Sequence, residues 1–258
     1  MGYETILLDR RDHIGFITLN RPKQLNTFSS VLAKEFNSAL EECEADPDVR
    51  VVVIRGEGKA FCAGIDVNEL EGKQCLEYYQ WVGRMEEMAL RMSKMGTPVI
   101  ASVHDLAIAN GIAIVASADL AVAAAGARFG ATAVNIGLFC MGPAVPLARC
   151  VGRKKALELL LTGDMIDADE AYRIGLVNKV VPPEALADET LLLAAKLAKK
   201  SPLALQLGKR SFYKMQDLEY EKAFELVNNH FALLCSTEDA HEGVDAFLSK
   251  RNPEWKMK

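Results

Sequence analysis

The sequence predicts an α/β fold followed by a helical C-terminal region. Apolar runs of strand length alternate with amphipathic helical segments in the first half of the 258-residue chain. This alternation is typical of α/β domains. The run 51–54 is apolar on both faces, which indicates a strand covered on both sides of its sheet. Beyond residue 151 the strand patterns nearly vanish, and helical patterns take their place.

Each element follows from its local pattern. Strands are predicted at 5–8, 15–19, 49–55, 99–103, 120–123 and, in the second half, 177–181. Helices are predicted at 30–45, 70–95, 183–200, 203–215, 218–236 and 238–250. Pro202 suits the first turn of the helix over 203–215. The last helices are so apolar that they must cover the α/β unit or a partner subunit.

Composition and charge exclude several classes of protein. Half of the residues are hydrophobic, which excludes a disordered chain. Thirty basic and 35 acidic residues give a net charge of −5 without a basic block, so no nucleic-acid partner is expected. No segment reaches the roughly 18 apolar residues of a membrane span, so no membrane partner is expected either. A net negative charge does not exclude an anionic ligand, because N–H groups positioned at a binding site attract an anion locally.

The cysteines and the N-terminus favour a cytoplasmic protein. Six cysteines lie far apart without a CxxC pair, which predicts free thiols in a reducing compartment and no zinc site. The segment 1–11 carries Glu4, Asp9, Arg10 and Arg11, so it lacks the apolar core of a signal peptide.

The helical segment 76–92 carries large apolar side chains on one face. Two interpretations fit them: a face of the hydrophobic core, or a wall against a flexible apolar ligand, to which methionine adapts well. The residues on this face are Tyr78, Trp81, Val82, Met85, Met88, Ala89 and Met92.

Five ordered segments carry a family resemblance. They are "ITLNRPKQLNTF" at 17–28, "GKAFCAGIDVNEL" at 58–70, the stretch 97–124 around "ANGIAIVASAD", "ARFGATAVNIGL" at 127–138 and the stretch 151–181. Together they resemble the enoyl-CoA hydratase/isomerase family, the crotonases. The resemblance implies a crotonase-like spiral of ββα units over 1–200 and a helical trimerisation region over 201–258. It further implies an acyl-CoA substrate, coenzyme A entering only as part of that substrate, no metal, and homotrimers that can pair into hexamers.

The resemblance also implies an oxyanion site built from backbone N–H groups. Chemistry next to a thioester carbonyl develops negative charge on its oxygen, which fixed donors stabilise. The donors would be Ile65 and Asn110, with Gly111 next to the second. Most members have glycines where this chain has Ala109 and Asn110, and Asn tolerates the left-handed backbone better than other non-glycine residues. The alternative is that both segments are merely tight turns.

Two catalytic glutamates of the family are missing. Hydration needs a base for water and an acid for the α carbon, and Ala113 and Ala133 stand where the resemblance implies these carboxylates. Both are expected to line the substrate pocket. The acid of other branches would fall near Cys140 or Met141 and is absent too. Substitutes could come from the segment 67–95, although its acids are more often a solvated face. These acids are Glu69, Glu71, Glu77, Glu86 and Glu87.

Further residues are implied to contact coenzyme A. The resemblance assigns these contacts to Lys23, Gln24, Leu25, Lys59, Ala60, Ala63 and Asp66, and to Phe247 and Lys250, which often serve a neighbouring subunit. For Asp66 the main role expected is a cap on the helix predicted near 67–70, with proton transfer as the alternative. Asp119 is expected to be structural, and the pair His104 and Asp105 is expected to form a turn. Three functions stay open: an enzyme with relocated acid–base groups, an acyl-CoA-binding protein without turnover, and an assembly module.

Overall fold

Two β-sheets and ten α-helices form the fold in the computed structural model, which describes residues 2–258. The strands are β1 Ile6–Arg11, β2 Ile14–Leu19, β3 Val51–Gly56, β4 Ala60–Cys62, β5 Val99–Val103, β6 Leu106–Ile108, β7 Leu120–Ala124, β8 Arg128–Gly130, β9 Met165–Asp167 and β10 Lys179–Val181. The helices are α1 Ser30–Ala45, α2 Cys75–Lys94, α3 Asn110–Ser117, α4 Met141–Val151, α5 Arg153–Thr162, α6 Ala168–Arg173, α7 Leu186–Ala198, α8 Pro202–Met215, α9 Tyr220–Cys235 and α10 Glu238–Leu248.

The larger sheet contains the strands that the sequence predicts. Its order is β1-β2-β3-β5-β7-β10, and every pair is parallel except the β1–β2 hairpin. In β3 the residues Val51, Val52, Val53 and Ile54 are at most 1% exposed. The two-sided burial predicted for this strand is therefore confirmed, because one apolar cluster packs on each face of the sheet.

A smaller sheet of three-residue strands positions the candidate site. Its order is β4-β6-β8-β9, with β4, β6 and β8 parallel to one another. Strands this short give no measurable periodicity, and none of them is predicted from the sequence. Because parallel strands end at the same edge of a sheet, the segments after β4, β6 and β8 emerge side by side.

Some helices match their predicted bounds, and others differ or are not predicted from the sequence. α1 spans its predicted range, whereas the predicted helix 70–95 begins only at Cys75, after a separate 3-10 turn at Val67–Glu69. The short helices α4, α5 and α6 are missing from the sequence analysis. α4 even contains Pro146 in its interior, a residue that normally indicates a helix end.

The C-terminal helices leave much apolar surface exposed. α8 packs against α9, and Lys209 of α8 forms an ion pair with Asp119 before β7 at 2.7 Å. Large exposed side chains on these helices are Phe212, Tyr220, Phe224, Phe231, Leu233, Val244, Phe247 and Leu248. Within residues 2–258, no helix is both long enough and apolar enough to cross a membrane.

Candidate functional site

Two turns meet at the edge of the smaller sheet. The first follows β4 and contains Gly64 at φ +95°, and the second follows β6 and contains Ala109. A Cβ atom built on Gly64 would lie 3.0 Å from the Cβ of Ala109. The Ala109 methyl therefore packs close against Gly64, and Ile65 and Asn110 are the residues that immediately follow this contact.

The β4 turn is held by Phe28, which lies before α1. The Phe28 N–H donates to the carbonyl of Gly64 at 2.7 Å, and the Asp66 N–H donates to the carbonyl of Phe28 at 3.0 Å. This parallel bridge turns the N–H of Ile65 away from Phe28. Among the residues described, the Ile65 N–H has no acceptor. It is available to an outside acceptor.

The β6 turn redirects the chain into helix α3. The Ala109 N–H donates to the carbonyl of Gly130 at 2.9 Å, and Ala109 adopts φ +48° and ψ −111°. Asn110 is the first residue of α3, and its N–H finds no acceptor in residues 2–258. The N–H groups of a first helical turn lack partners within the helix and carry its positive dipole end. The N–H of Asn110 is thus a second free donor, at the turn that contacts the turn of Ile65.

The strained residue of this turn differs from the expected one. The tolerance of asparagine for left-handed backbone points to Asn110, but Ala109 carries the positive φ and Asn110 is helical. The Asn110 side chain has another use: it is buried, and its Nδ2 donates to the carbonyl of Met85 in α2 at 3.3 Å. Gly111 is required by packing, since a Cβ there would lie 2.2 Å from the carbonyl oxygen of Cys62.

The two alanines lie in the segments that follow β6 and β8. Ala113 is one turn beyond Asn110 in α3 and is buried, and Ala133 lies in a partly buried 3-10 segment, Thr132–Ile136, after β8. Cys140, before α4, has a buried thiol. Burial raises the pKa of this thiol, and the hydrogen bond with the backbone of Ala133 lowers it by a smaller amount. Neither the methyl groups nor this thiol provides a carboxylate at these positions.

Two of the candidate acids have structural partners. Glu69 accepts hydrogen bonds from the Ser30 hydroxyl at 2.6 Å and from Nε1 of Trp81 at 2.8 Å. Burial acts to raise the pKa of Glu69, but these donors outweigh it and the pKa is lowered. Glu77 caps the start of α2 by accepting from the Gln74 N–H at 2.7 Å.

Glu86 and Glu87 differ although they are adjacent in α2. Glu87 forms an ion pair with Arg91 at 2.9 Å on the exposed side of the helix. The Glu86 carboxylate accepts no hydrogen bond and forms no ion pair with any residue in the described chain. Burial raises the pKa of Glu86. Glu86 is therefore a partly buried acid of α2 without a partner in residues 2–258.

The apolar face of α2 belongs mainly to the core. Trp81, Met85, Met88 and Met92 are at most 6% exposed and pack in the larger apolar cluster, which confirms the core interpretation for these four. Val82 is 37% exposed.

The segments expected to contact coenzyme A lie side by side. The Ala63 N–H donates to the carbonyl of Leu25 at 3.0 Å, so the loop with the exposed residues Lys23 and Gln24 lies against the β4 turn. Lys59 is exposed before β4, while the side chain of Ala60 is buried.

Asn26 and Arg21 organise this loop, although neither is predicted from the sequence as a site residue. Buried Asn26, at φ +54°, donates to the carbonyls of Glu57 and Ala60 at 2.8 Å each. Arg21 forms an ion pair with Asp66 at 2.9 Å. An asparagine between a Pro-containing turn and an apolar segment is the signal that could have indicated the positive φ.

The expected structural roles of two aspartates are confirmed. Asp66 caps the 3-10 turn Val67–Glu69 through the Asn68 N–H at 3.3 Å. Asp119 accepts from the Val99 N–H at 2.7 Å and from the Tyr213 hydroxyl at 3.0 Å.

Other expected site residues lie apart from the two turns. His104 contacts the carbonyl of Gly58 at 3.0 Å through Nε2 rather than pairing with Asp105. Phe247 and Lys250 lie at the end of α10, and Phe247 is 82% exposed. In the part of the chain that the structure describes, neither is linked to the turns at Ile65 and Asn110 by a hydrogen bond or an ion pair. Cys62, by contrast, lies directly before the first turn, and burial raises the pKa of its thiol to about 12, which makes it unreactive.

Comparison with known proteins identifies the fold and the family. The family model described as "Enoyl-CoA hydratase/isomerase" matches residues 9–258. The chain is 39% identical over 248 residues to the mitochondrial enoyl-CoA hydratase domain-containing protein 3 of Rattus norvegicus, covering 95% of this chain and 82% of that protein. It is 34% identical over 253 residues to the crotonyl-CoA hydratase of Syntrophomonas wolfei, covering 97% of each.

Solved structures agree with this assignment. The crystal structure of the enoyl-CoA hydratase of Mycobacterium smegmatis superimposes with a TM-score of 0.94 at 40% identity, covering 98% of this chain and 99% of that chain. The human enoyl-CoA hydratase domain-containing protein 3 gives a TM-score of 0.94 at 38% identity, covering 98% and 100%. The fold is the crotonase fold, and the chain belongs to the enoyl-CoA hydratase/isomerase family.

Proposed function

We propose that this protein binds an acyl-CoA thioester and holds its carbonyl oxygen between the backbone N–H groups of Ile65 and Asn110. The observation that carries this proposal is the contact of two turns, each presenting an N–H without an acceptor in residues 2–258. Backbone donors need no side-chain ordering, and they stabilise charge that develops on an enolate oxygen. Family membership supports a thioester as the substrate.

The coenzyme A moiety would lie along the loop after β2 and the start of β4. Lys23 and Lys59 are exposed there and can attract phosphate groups, while Leu25, Ala63 and Asp66 form the adjoining backbone. Coenzyme A enters with the substrate, and no permanently bound cofactor is needed.

We place the protein among enzymes that change the acyl chain next to the thioester. This choice rests on the names of its relatives, which include a crotonyl-CoA hydratase. A second function, acyl-CoA binding without turnover, is favoured by Ala113 and Ala133, which carry no titratable group at the positions where hydration would use carboxylates.

A trimer would cover the exposed apolar side chains of α8, α9 and α10 and could bring Phe247 and Lys250 to a neighbour's ligand. Pairs of trimers would form hexamers. Light scattering at micromolar concentration should give the mass of three or six chains, and a monomer would contradict this assembly.

The binding claim is tested by calorimetric titration with two matched ligands, butyryl-CoA and its thioether analogue S-butyl-CoA. They differ at the carbonyl oxygen, so the two N–H groups should favour the thioester by about tenfold or more, as expected for two hydrogen bonds of about 1 kcal/mol each. Equal affinities, or no binding of either ligand, would overturn the proposal.

A further inference from the structure

The site has oxyanion donors but no carboxylate at positions 113 and 133, and Glu86 lies in the turn of α2 that is hydrogen-bonded to the Asn110 side chain. We propose that Glu86 is the proton-transfer group of this site, removing a proton from the α carbon of the bound thioester. This proposal rests on the function proposed above. It assigns the acid–base role to helix α2.

The first support is the position of Glu86 along α2. The preceding residue, Met85, has its carbonyl bound by the side chain of Asn110 at 3.3 Å. Asn110 is the residue whose backbone N–H serves as an oxyanion donor. This hydrogen bond fixes the turn of α2 that bears Glu86 relative to the start of α3.

The second support is the place of the carboxylate itself. A Cβ atom built on Gly142 would lie 2.1 Å from Oε1 of Glu86, so the carboxylate packs directly against the first turn of α4. The N-cap of α4 is Cys140, whose thiol contacts the backbone of Ala133. Glu86 therefore contacts the first turn of α4, which follows the segment of Ala133, and it belongs to the turn of α2 that is bonded to Asn110.

The third support is chemical. Glu69 and Glu77 are engaged by Ser30, Trp81 and Gln74, whereas Glu86 has no hydrogen-bond donor and no cation within residues 2–258. A partly buried carboxylate without partners binds a proton more readily than an exposed one, and burial indeed raises the pKa of Glu86. Groups that must both accept and return a proton near neutral pH are tuned in this way.

The step balances without a co-reactant. An O–H bond forms on Glu86 while the α C–H bond breaks, and the electron pair moves onto the thioester oxygen between Ile65 and Asn110. The carboxylic acid then returns a proton to the α carbon, or to the γ carbon if the chain began with a β,γ double bond. Hydration would need a second group to activate water. A single carboxylate therefore favours exchange and double-bond migration over hydration.

The test is exchange of the α protons of butyryl-CoA in D₂O, followed by proton NMR, alongside calorimetric titration of the same ligand. Glu86→Gln should slow exchange by about 10² to 10⁴-fold and leave the dissociation constant within about threefold. The neighbouring change Glu87→Gln removes a carboxylate from the exposed side of α2 and should leave exchange within about twofold. Gly142→Ala removes no charge but displaces the Glu86 carboxylate, so it should slow exchange as well.

The outcomes separate the two proposals. Butyryl-CoA that binds but does not exchange, or exchange that persists in folded Glu86→Gln, would overturn the role of Glu86 and leave thioester binding intact. A protein that binds no acyl-CoA would overturn both.

Discussion

Gly64 and Ala109 are in contact, with a built Cβ on Gly64 only 3.0 Å from the Cβ of Ala109. Each precedes one of the two free N–H donors, Ile65 and Asn110. The separation of the donors therefore depends on how closely these two small residues approach. Any enlargement at this contact should move both donors apart.

Gly64→Ala should weaken both stability and thioester binding. Gly64 has φ +95°, which an L residue rarely adopts, and the new methyl would press on Ala109. We expect a loss of about 1–3 kcal/mol in unfolding free energy and at least about tenfold in butyryl-CoA affinity. Denaturant unfolding and calorimetry check this. Gly126→Ala is the control, because no atom lies within 4 Å of its Cβ position and its φ is ordinary. Equal effects of the two changes would refute the account.

Ala109→Gly should stabilise the protein slightly. The residue adopts φ +48°, and strain of this kind costs about 1–3 kcal/mol, whereas the greater freedom of an unfolded glycine costs about 0.5–1 kcal/mol. The net gain of about 1 kcal/mol should raise Tm by about 2–4 °C. Ala118→Gly is the matched control at the other end of α3, where φ is −67°, and it should lower Tm. A lower Tm for both variants would argue against strain at Ala109.

Introducing glutamates at positions 113 and 133 should create hydration activity. The native protein should hydrate crotonyl-CoA very slowly, and Ala113→Glu together with Ala133→Glu should raise the rate more than either change alone, because the paired roles are not additive. Glu at 113 would be buried, since Ala113 is 2% exposed, and should lower stability. Hydration rates and unfolding curves of all four variants check this. A folded double variant that binds crotonyl-CoA without gaining activity would favour the binding-protein alternative.

The ion pair of Lys209 with Asp119 should contribute strongly to stability. The Lys209 side chain is 7% exposed, and Asp119 also accepts from Val99 and Tyr213. Asp119→Ala leaves a buried cation unpaired, so we expect a loss of about 3–5 kcal/mol in unfolding free energy. Asp217→Ala breaks the exposed ion pair with Arg149 and should change the unfolding free energy by less than about 1 kcal/mol. Similar unfolding midpoints for the two variants at one protein concentration would contradict this role.

The larger sheet is predictable from the sequence because its strands are continuous apolar runs. The buried segment Val51 to Ile54 is the clearest example, since burial on both faces leaves no polar position in the run. The smaller sheet is not predictable from periodicity, because strands of three residues such as Ala60–Cys62 are shorter than any repeat that could reveal them.

The site is only partly predictable for a similar reason. Family resemblance indicates Ile65 and Asn110, but the residue that takes the positive φ is Ala109, and a turn's backbone angles depend on its neighbours. The distinction between Glu69 and Glu86 depends on contacts across the fold. Only the structure places Trp81 and Ser30 on the first carboxylate and none on the second.

The most direct test of the central claim is the carbonyl stretching frequency of bound butyryl-CoA labelled with ¹³C at the thioester carbonyl, measured by infrared difference spectroscopy. Two hydrogen bonds from Ile65 and Asn110 polarise the C=O bond, so the band should move below its position in water, and Gly64→Ala should reduce the shift. Bound thioester with the same frequency as free thioester would contradict the account.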